Sequence, residues 1–405
     1  MTTPQTDAAP VPSTLGVVGP GLMGVGICHA AALAGVHAVL VGRDGEAARR
    51  GLDRWSGELA QRVARGRLEA SAAEQLRAAV IAAANDSALA SCALVVEAVA
   101  EDREVKQAVL RRIEAAVPRG TVIATNTSGL PVSGLAESLA HPGRFIGLHF
   151  FSPVDRMPLV EVVVGRETTA ATTEAALAWV RRLGKQPVVV RDSPGFFTSR
   201  VFAAYLDEAA AMVGEGVAPE RIEAAAAAAG MPVGPLAMLD ETGLALNWQQ
   251  ARQARADGLP ERFCRPLAWP VLDHMVSVLG RRGRRDGGGF YDYPAAQFRN
   301  LWLGLAQAFA PRADQPTPEQ VQHRLMHAQA LAAVACLEEG IVASAQDADL
   351  ASVLGLGFPK AQGGVLAQVE RHGLARFVSE CDALAAQCGE RFRPTPWLRE
   401  RKALR

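Results

Sequence analysis

Gly19, Gly21 and Gly24 stand at the spacing G-x-G-x-x-G in VVGPGLMGVG, after the apolar run Leu15 to Val18 and at the head of a helically spaced stretch, Leu22 to Ala34. In strand–turn–helix context each glycine has its own task. Gly19 permits the tight turn, Gly21 lets backbone approach a pyrophosphate on the positive helix end, and Gly24 lets helix and strand pack closely. Leu22 and Met23 lie in this turn and count among its cofactor-facing positions, although Met23 also has the spacing of a packing residue. Further on, His149 ends an apolar run just before FFSP, and Glu161 interrupts LVEVVV. A histidine titrates near neutral pH and suits general acid–base work. A carboxylate inside an apolar strand is costly unless it meets a partner or water, so Glu161 either pairs or lies exposed on an edge strand. Ser128, in NTSG, is an ordinary turn hydroxyl or a substrate contact.

The end of the second strand selects between dinucleotides. An acidic side chain there bonds the adenosine ribose hydroxyls, whereas this chain reads VLVGRDGE, with Gly42 at the acidic position and Arg43 and Asp44 after it. Loss of the carboxylate beside an arginine is the pattern that accepts a 2′-phosphate, and so NADP. The other reading has Asp44 take the ribose and leaves Arg43 solvated. Both stay open.

Positioning these residues requires alternating strands and helices. Strands are predicted at Leu15–Val18, Val36–Val41, Ala93–Val99, Thr121–Thr125, Phe145–Leu148, Leu159–Val164 and Pro187–Val190, with helices at Glu46–Ala64, Ala72–Ala79, Arg103–Ala116 and Thr172–Leu183. That alternation implies a mostly parallel sheet covered on both faces. Beyond Arg191 alanine-rich helices dominate, and an internal repeat emerges. Arg200 opens a helix ending at Glu215-Gly216, and Arg324 opens one ending at Glu339-Gly340. Each is followed by a helix, a Pro/Gly turn (MPVGP, FPKAQGG) and Gly-Leu, at Gly243-Leu244 and Gly373-Leu374. The expected fold is therefore an α/β Rossmann domain over residues 14–191 and two tandem all-α domains over 192–300 and 301–405. A disordered tail is expected over 1–13.

Composition bounds the function. Formal net charge is zero over 405 residues, which argues against nucleic acid as a partner. None of the six cysteines forms a CxxC pair, so no metal or redox site is indicated by them. No secretory signal and no membrane-spanning apolar run is present, and a cytoplasmic protein is expected.

Five segments in order, ATNTSGLPVS, GLHFFSPVDRMPLVEV, DSPGFFTSRV, GGGFYDY and LEEGIVASAQDAD, together resemble the 3-hydroxyacyl-CoA dehydrogenase family, above all the dehydrogenase half of bacterial fatty-acid oxidation multienzymes. The resemblance runs from Leu15 nearly to the end. It implies an oxidoreductase of fatty-acid β-oxidation that interconverts (S)-3-hydroxyacyl-CoA and 3-oxoacyl-CoA with NAD, or with NADP given Gly42 and Arg43. It implies His149 as the base, Glu161 as the carboxylate of a His–Glu dyad, and Ser128 near the substrate's 3-oxygen. Glu101 and Lys106 in AEDREVK match positions near the cofactor, though alone they read as a solvated helix start. Arg285 falls where relatives often carry a lysine near the nucleotide. Arg62, Arg65 and Arg67 are either CoA-phosphate contacts or a solvated face. The family usually has HFFNP where Ser152 stands, and an asparagine at Ser199; a serine there lacks an amide donor whose loss costs ~3–4 kcal/mol when it serves a developing oxyanion. Atypical substrate or cofactor preference is the consequence expected. The short segment before Leu15 leaves no room for a hydratase domain, so a monofunctional enzyme is expected, as a monomer through its internal duplication or as a homodimer. The rival readings are a dehydrogenase of a non-CoA 3-hydroxy acid and a weakly catalytic cofactor-binding protein.

Overall fold

The computed structural model of the chain describes residues 14–295 and 298–404; the expected tail over 1–13 lies outside them. The chain divides into two units, 1–196 and 197–405, a few residues beyond the break expected at Arg191.

The first unit is built on one sheet. Its elements run β1 (Thr14–Val18), α1 (Leu22–Leu33), β2 (His37–Val41), α2 (Gly45–Ala64), α3 (Ala70–Ala78), β3 (Val80–Ala83), β4 (Leu94–Glu97), α4 (Arg103–Ala116), β5 (Val122–Thr125), α5 (Val132–Ala136), β6 (Phe145–Phe150), β7 (Leu159–Val164), α6 (Ala170–Arg182) and β8 (Gln186–Arg191). Strand order is β3-β2-β1-β4-β5-β6-β7-β8, parallel except between β6 and β7. The first six follow the doubly wound order, whose reversal between β1 and β4 opens a crevice at the strands' carboxyl ends. The Val/Leu/Ile-rich strands are buried because helices cover both faces. Local signals set the helix starts. Asp44 accepts from Ala47 N, Asp102 from Val105 N and Thr169 from Thr172 N, each satisfying a first-turn amide. Sequence periodicity missed β3: it is a four-residue edge strand, too short to show alternation, and its register comes from pairing with β2.

The second unit is mainly helical: α7 (Thr198–Gly214), α8 (Pro219–Ala228), α9 (Pro235–Thr242), α10 (Leu244–Ala256), α11 (Trp269–Asp273), the hairpin β9 (Tyr291–Ala295) and β10 (Phe298–Leu301), α12 (Leu305–Ala308), α13 (Pro318–Glu338), α14 (Ala345–Gly355), α15 (Val365–His372), α16 (Leu374–Cys388) and α17 (Pro396–Arg399). Its GGGFYDY segment wraps the buried Asp240 carboxylate, which accepts from Phe290 N and Tyr291 N at 2.8 Å each. A Cβ on Gly289 would stand 1.9 Å from Asp240 Oδ1, so glycine is required there. α7 packs along α13. Gly243, between α9 and α10, and Gly373, between α15 and α16, adopt nearly the same left-handed geometry, φ 90°, ψ 115° and φ 92°, ψ 119°. Among the described residues no helix is long and apolar enough to cross a membrane.

Candidate active site

The glycine-rich turn has the geometry its sequence demands. Gly19 has φ 119°, its N–H donates to Val41 O at 2.9 Å, and a Cβ there would stand 2.4 Å from Ala98 O. A Cβ on Gly24 would stand 1.9 Å from Gly19 O, so the helix start and the turn touch. A Cβ on Gly21 would meet nothing within 4 Å, and no side chain caps α1 at this residue. Open space before an uncapped helix N-terminus fits a dinucleotide pyrophosphate. Leu22 is exposed on the first turn, and Met23 packs against the core.

At the end of β2, a Cβ on Gly42 would approach Ala48 N and Asp44 O to 2.8 Å. The tight entry into α2 therefore excludes a side chain at 42 without backbone movement. Asp44 is committed to capping α2, with Oδ1 2.6 Å from Ala47 N, and its other oxygen takes Arg43 Nε at 3.3 Å. Arg43 is largely exposed.

His149 and Glu161 are directly opposed in the antiparallel β6–β7 pair. His149 Nδ1 lies 2.7 Å from Glu161 Oε2, and Glu161 is completely buried. The edge-strand alternative for Glu161 fails, because β7 lies between β6 and β8. Phe151 and Phe196 flank the imidazole, with ring centroids at 4.3 and 6.1 Å. Phe196 holds φ 49°, a left-handed conformation that costs an ordinary residue about 1–2 kcal/mol.

Ser128 follows β5, the parallel neighbour of β6, so its loop emerges at the same sheet edge as His149. Glu101 organises this loop. Its Oε1 accepts from Thr127 Oγ1 at 2.6 Å, Ser128 N at 3.0 Å and Ser128 Oγ at 3.3 Å. Burial raises its carboxyl's pKa, but Lys106 and these donors outweigh burial and hold it below the ordinary value. Lys106 corrects the solvated reading. It is 1% exposed and donates to Glu97 Oε1 at 2.9 Å, with Glu101 at 3.3 Å. Its ammonium thus holds two carboxylates under the loop.

Sequence reasoning missed Glu97 and Asn126. Glu97 closes the apolar strand β4, fully buried, and accepts from Thr125 Oγ1 at 2.6 Å and Val99 N at 2.7 Å. Glu97, like Glu161, is a carboxylate in an apolar run, and the same cost of burial marks it. Asn126 Oδ1 accepts from Phe150 N at 2.9 Å, tying the Ser128 loop to the strand end that carries His149.

Ser152 is exposed and shares the wall of a cavity of about 260 Å³ with Gly21, Leu22, His29, Trp55 and Arg62. Arg62 pairs with Asp155 at 2.9 Å, whereas Arg65 and Arg67 are exposed. Ser199 lies half-buried in the first turn of α7, and Arg285 is exposed on the turn Arg284–Asp286; both belong to the second unit.

Residues 14–193 match the family model "3-hydroxyacyl-CoA dehydrogenase, NAD binding domain", and 195–293 match the C-terminal domain model of the same name. The fatty acid oxidation complex subunit alpha of Pseudomonas savastanoi is 34% identical over 391 residues, covering 95% of this chain and 54% of that protein. The chain thus spans about half the length of the curated relatives it matches. The crystal structure of 3-hydroxybutyryl-CoA dehydrogenase from Escherichia coli has TM-score 0.82 at 29% identity, over 96% of this chain and 98% of that one. That of (S)-3-hydroxybutyryl-CoA dehydrogenase from Ralstonia eutropha has TM-score 0.65 at 32% identity, over 70% of this chain and 99% of that one.

Proposed function

Because the chain belongs to the 3-hydroxyacyl-CoA dehydrogenase family, we propose that it interconverts (S)-3-hydroxyacyl-CoA and 3-oxoacyl-CoA in fatty-acid oxidation. The observation that carries this reading is the buried His149–Glu161 pair at the carboxyl edge of the sheet. Glu161 holds the proton on His149 Nδ1, which leaves Nε2 as the basic nitrogen. Nε2 takes the proton of the substrate's 3-hydroxyl as its C–H bond breaks, and returns it in the reverse reaction. Glu161 then faces an imidazolium and stabilises its charge. When bound, a nicotinamide accepts the hydride. Ser128 holds the 3-oxygen, its position fixed from behind by Glu101 and Lys106.

The pyrophosphate falls to Gly19, Gly21 and Gly24, with Leu22, Met23 and Ser152 beside it. We assign the adenosine end to Gly42 and Arg43. Since the Asp44 carboxylate is engaged by Ala47 N and Arg43, a 2′-phosphate meeting Arg43 is the better reading, and NADP joins NAD as a cofactor. Ser199 and Arg285 enter through motif position alone.

The chain beyond Arg191 is read as two tandem helical domains, 192–300 and 301–405, that pair with each other. Arg324 stands as far after Arg200 as Glu339 does after Glu215. Arg200 pairs with Glu339 at 2.7 Å and Arg324 with Glu215 at 2.6 Å, each arginine reaching the other copy's glutamate. Such reciprocity is the signature of an isologous interface. It favours a monomer, which sedimentation tests.

Acetoacetyl-CoA with NADH or NADPH, followed by loss of cofactor fluorescence, tests the function. Turnover with either cofactor supports it. Silence with both, or turnover of free 3-oxo acids alone, overturns it.

A further inference from the structure

In the second unit α13, α15 and α16 converge on a cavity of about 410 Å³, lined by His323, Met326, His327, Arg371, His372 and Phe377. His327 comes from α13 and is buried; His372 is the last residue of α15; Glu380 comes from the second turn of α16. The two imidazoles present the same nitrogen to the same oxygen. His327 Nε2 lies 3.0 Å and His372 Nε2 2.7 Å from Glu380 Oε2. One donor atom from each side chain thus falls within 4.8 Å of the others. Among the described residues, this is the only group of three or more histidine, cysteine or acidic side chains that converges in this way. Arg376 Nε donates to Glu380 Oε1 at 2.9 Å, which orients the carboxylate with Oε2 toward the imidazoles, as outer-shell partners orient metal ligands.

We propose that His327, His372 and Glu380 form a binding site for a divalent transition-metal ion, with Zn²⁺ as the best fit. Two imidazole nitrogens and one carboxylate oxygen are a ligand set used by zinc at ~2.0–2.2 Å, in sites that keep a further position open. Nitrogen donors select against Mg²⁺ and Ca²⁺, which take oxygen. The ion takes the place now spanned by the two Nε2···Oε2 contacts, and the donors move apart by tenths of an ångström. The fourth position faces the cavity. His323 stands four residues before His327 on α13, with ring centroids 5.1 Å apart. This i,i+4 pair of histidines on one helix face is a spacing that binds zinc, but the donor atoms that converge within 4.8 Å are those of His327, His372 and Glu380, and His323 is not among them.

The set belongs to this half of the unit alone. Aligned on the Arg200/Arg324 and Gly243/Gly373 landmarks, the matching positions of the first copy are Ala203, Thr242 and Gln250. Helix packing of this type therefore does not itself call for two histidines and a glutamate. The site also lies outside the segments that match the family models, which end at residue 293.

The test is direct binding to the whole chelator-treated protein, with no readout through turnover. Calorimetry with Zn²⁺ is expected to give one ion per chain, and Co²⁺ a visible spectrum of low-coordinate N/O ligation. Mg²⁺ is expected to give neither. Glu380→Gln and His372→Ala should each weaken Zn²⁺ binding by more than about 10–100-fold, the cost of losing even an outer-shell partner. His372 is half-buried at a helix end, so His372→Ala keeps the test open if His327→Ala does not fold. No stoichiometric Zn²⁺ binding, or undiminished binding in a folded His372→Ala variant, overturns the proposal.

Discussion

Glu161 faces His149 across the one antiparallel pairing in the eight-stranded sheet, with its Oε2 2.7 Å from His149 Nδ1. In an antiparallel pair the directly opposed side chains share a face, so this register alone puts the Glu161 carboxylate beside the His149 imidazole. β8 closes the other side of β7 and keeps Glu161 from water. Glu161→Gln keeps shape and burial but loses the charge that favours the imidazolium. We expect a fall in kcat of about 10²–10⁴, the usual share of a positioned base, with NADH affinity unchanged. Glu161→Gln activity within threefold of wild type, on the order of less than 1 kcal/mol, would remove the dyad from the mechanism.

The Ser128 loop should resist acid. Glu101 is buried, yet Lys106, Thr127 and Ser128 N hold its carboxyl below the ordinary value of 4.5. For an acid with a depressed folded pKa, the stabilising contribution is complete above the unfolded pKa and disappears as pH falls through the lower folded value. Hydrogen exchange at Ser128 and Gly129, corrected for intrinsic rates, should be flat from about pH 8 to about pH 5 and rise only in stronger acid. Glu101→Gln should show loosened exchange at every pH. Loosening of the wild-type loop already near neutrality would contradict this clamp.

Cofactor choice should follow Arg43. An arginine hydrogen-bonded to a phosphate contributes about 1.5–3 kcal/mol. Arg43→Ala should therefore raise KM for NADPH about tenfold or more while leaving NADH within about twofold. Equal losses for both cofactors would point to a structural effect at the start of α2, and equal indifference to a solvated arginine.

Gly24→Ala should weaken nucleotide binding, because its methyl would stand 1.9 Å from Gly19 O. Backbone offers no flexible group to give way, so the turn must open. Titration of NADH fluorescence should show Kd raised by about tenfold or more, an energy of roughly 1.4 kcal/mol. Unchanged binding would mean that this turn does not hold the pyrophosphate.

The pairing within the helical unit predicts unequal costs for two arginines in matching positions. Arg324 serves the buried Glu208 at 2.5 Å as well as Glu215, whereas among the described residues Arg200 pairs only with Glu339, which is more open than Glu208. Arg391 also reaches Glu208, at 2.7 Å. Removing one partner of a buried ion pair costs about 3–5 kcal/mol. Arg324→Ala should lower the urea midpoint clearly more than Arg200→Ala. The reverse order would show that burial of Glu208 does not set the cost.

What the sequence determined by itself is local. The glycine turn, the caps at Asp44, Asp102 and Thr169, and the helix–Glu-Gly–helix order of the second unit depend on residues within a few positions of one another, where backbone sterics and single hydrogen bonds decide. His149 stood out in the sequence through its place in HFFSP, a motif within one local run. The pairing of Glu161 with His149 came with the resemblance; only the tertiary structure decided the others: Glu97 with Lys106 and Thr125, Asn126 with Phe150, Arg200 with Glu339, and His327 with Glu380. Each joins residues whose separation along the chain carries no signal of contact. Buried charge and amide must find partners wherever sheet register and helix packing place them, and those are set by the whole core, not by any one stretch of residues. Lys106 is the plainest case: at the start of an ordinary charged helix it reads as solvated, and the fold turns it inward onto two carboxylates.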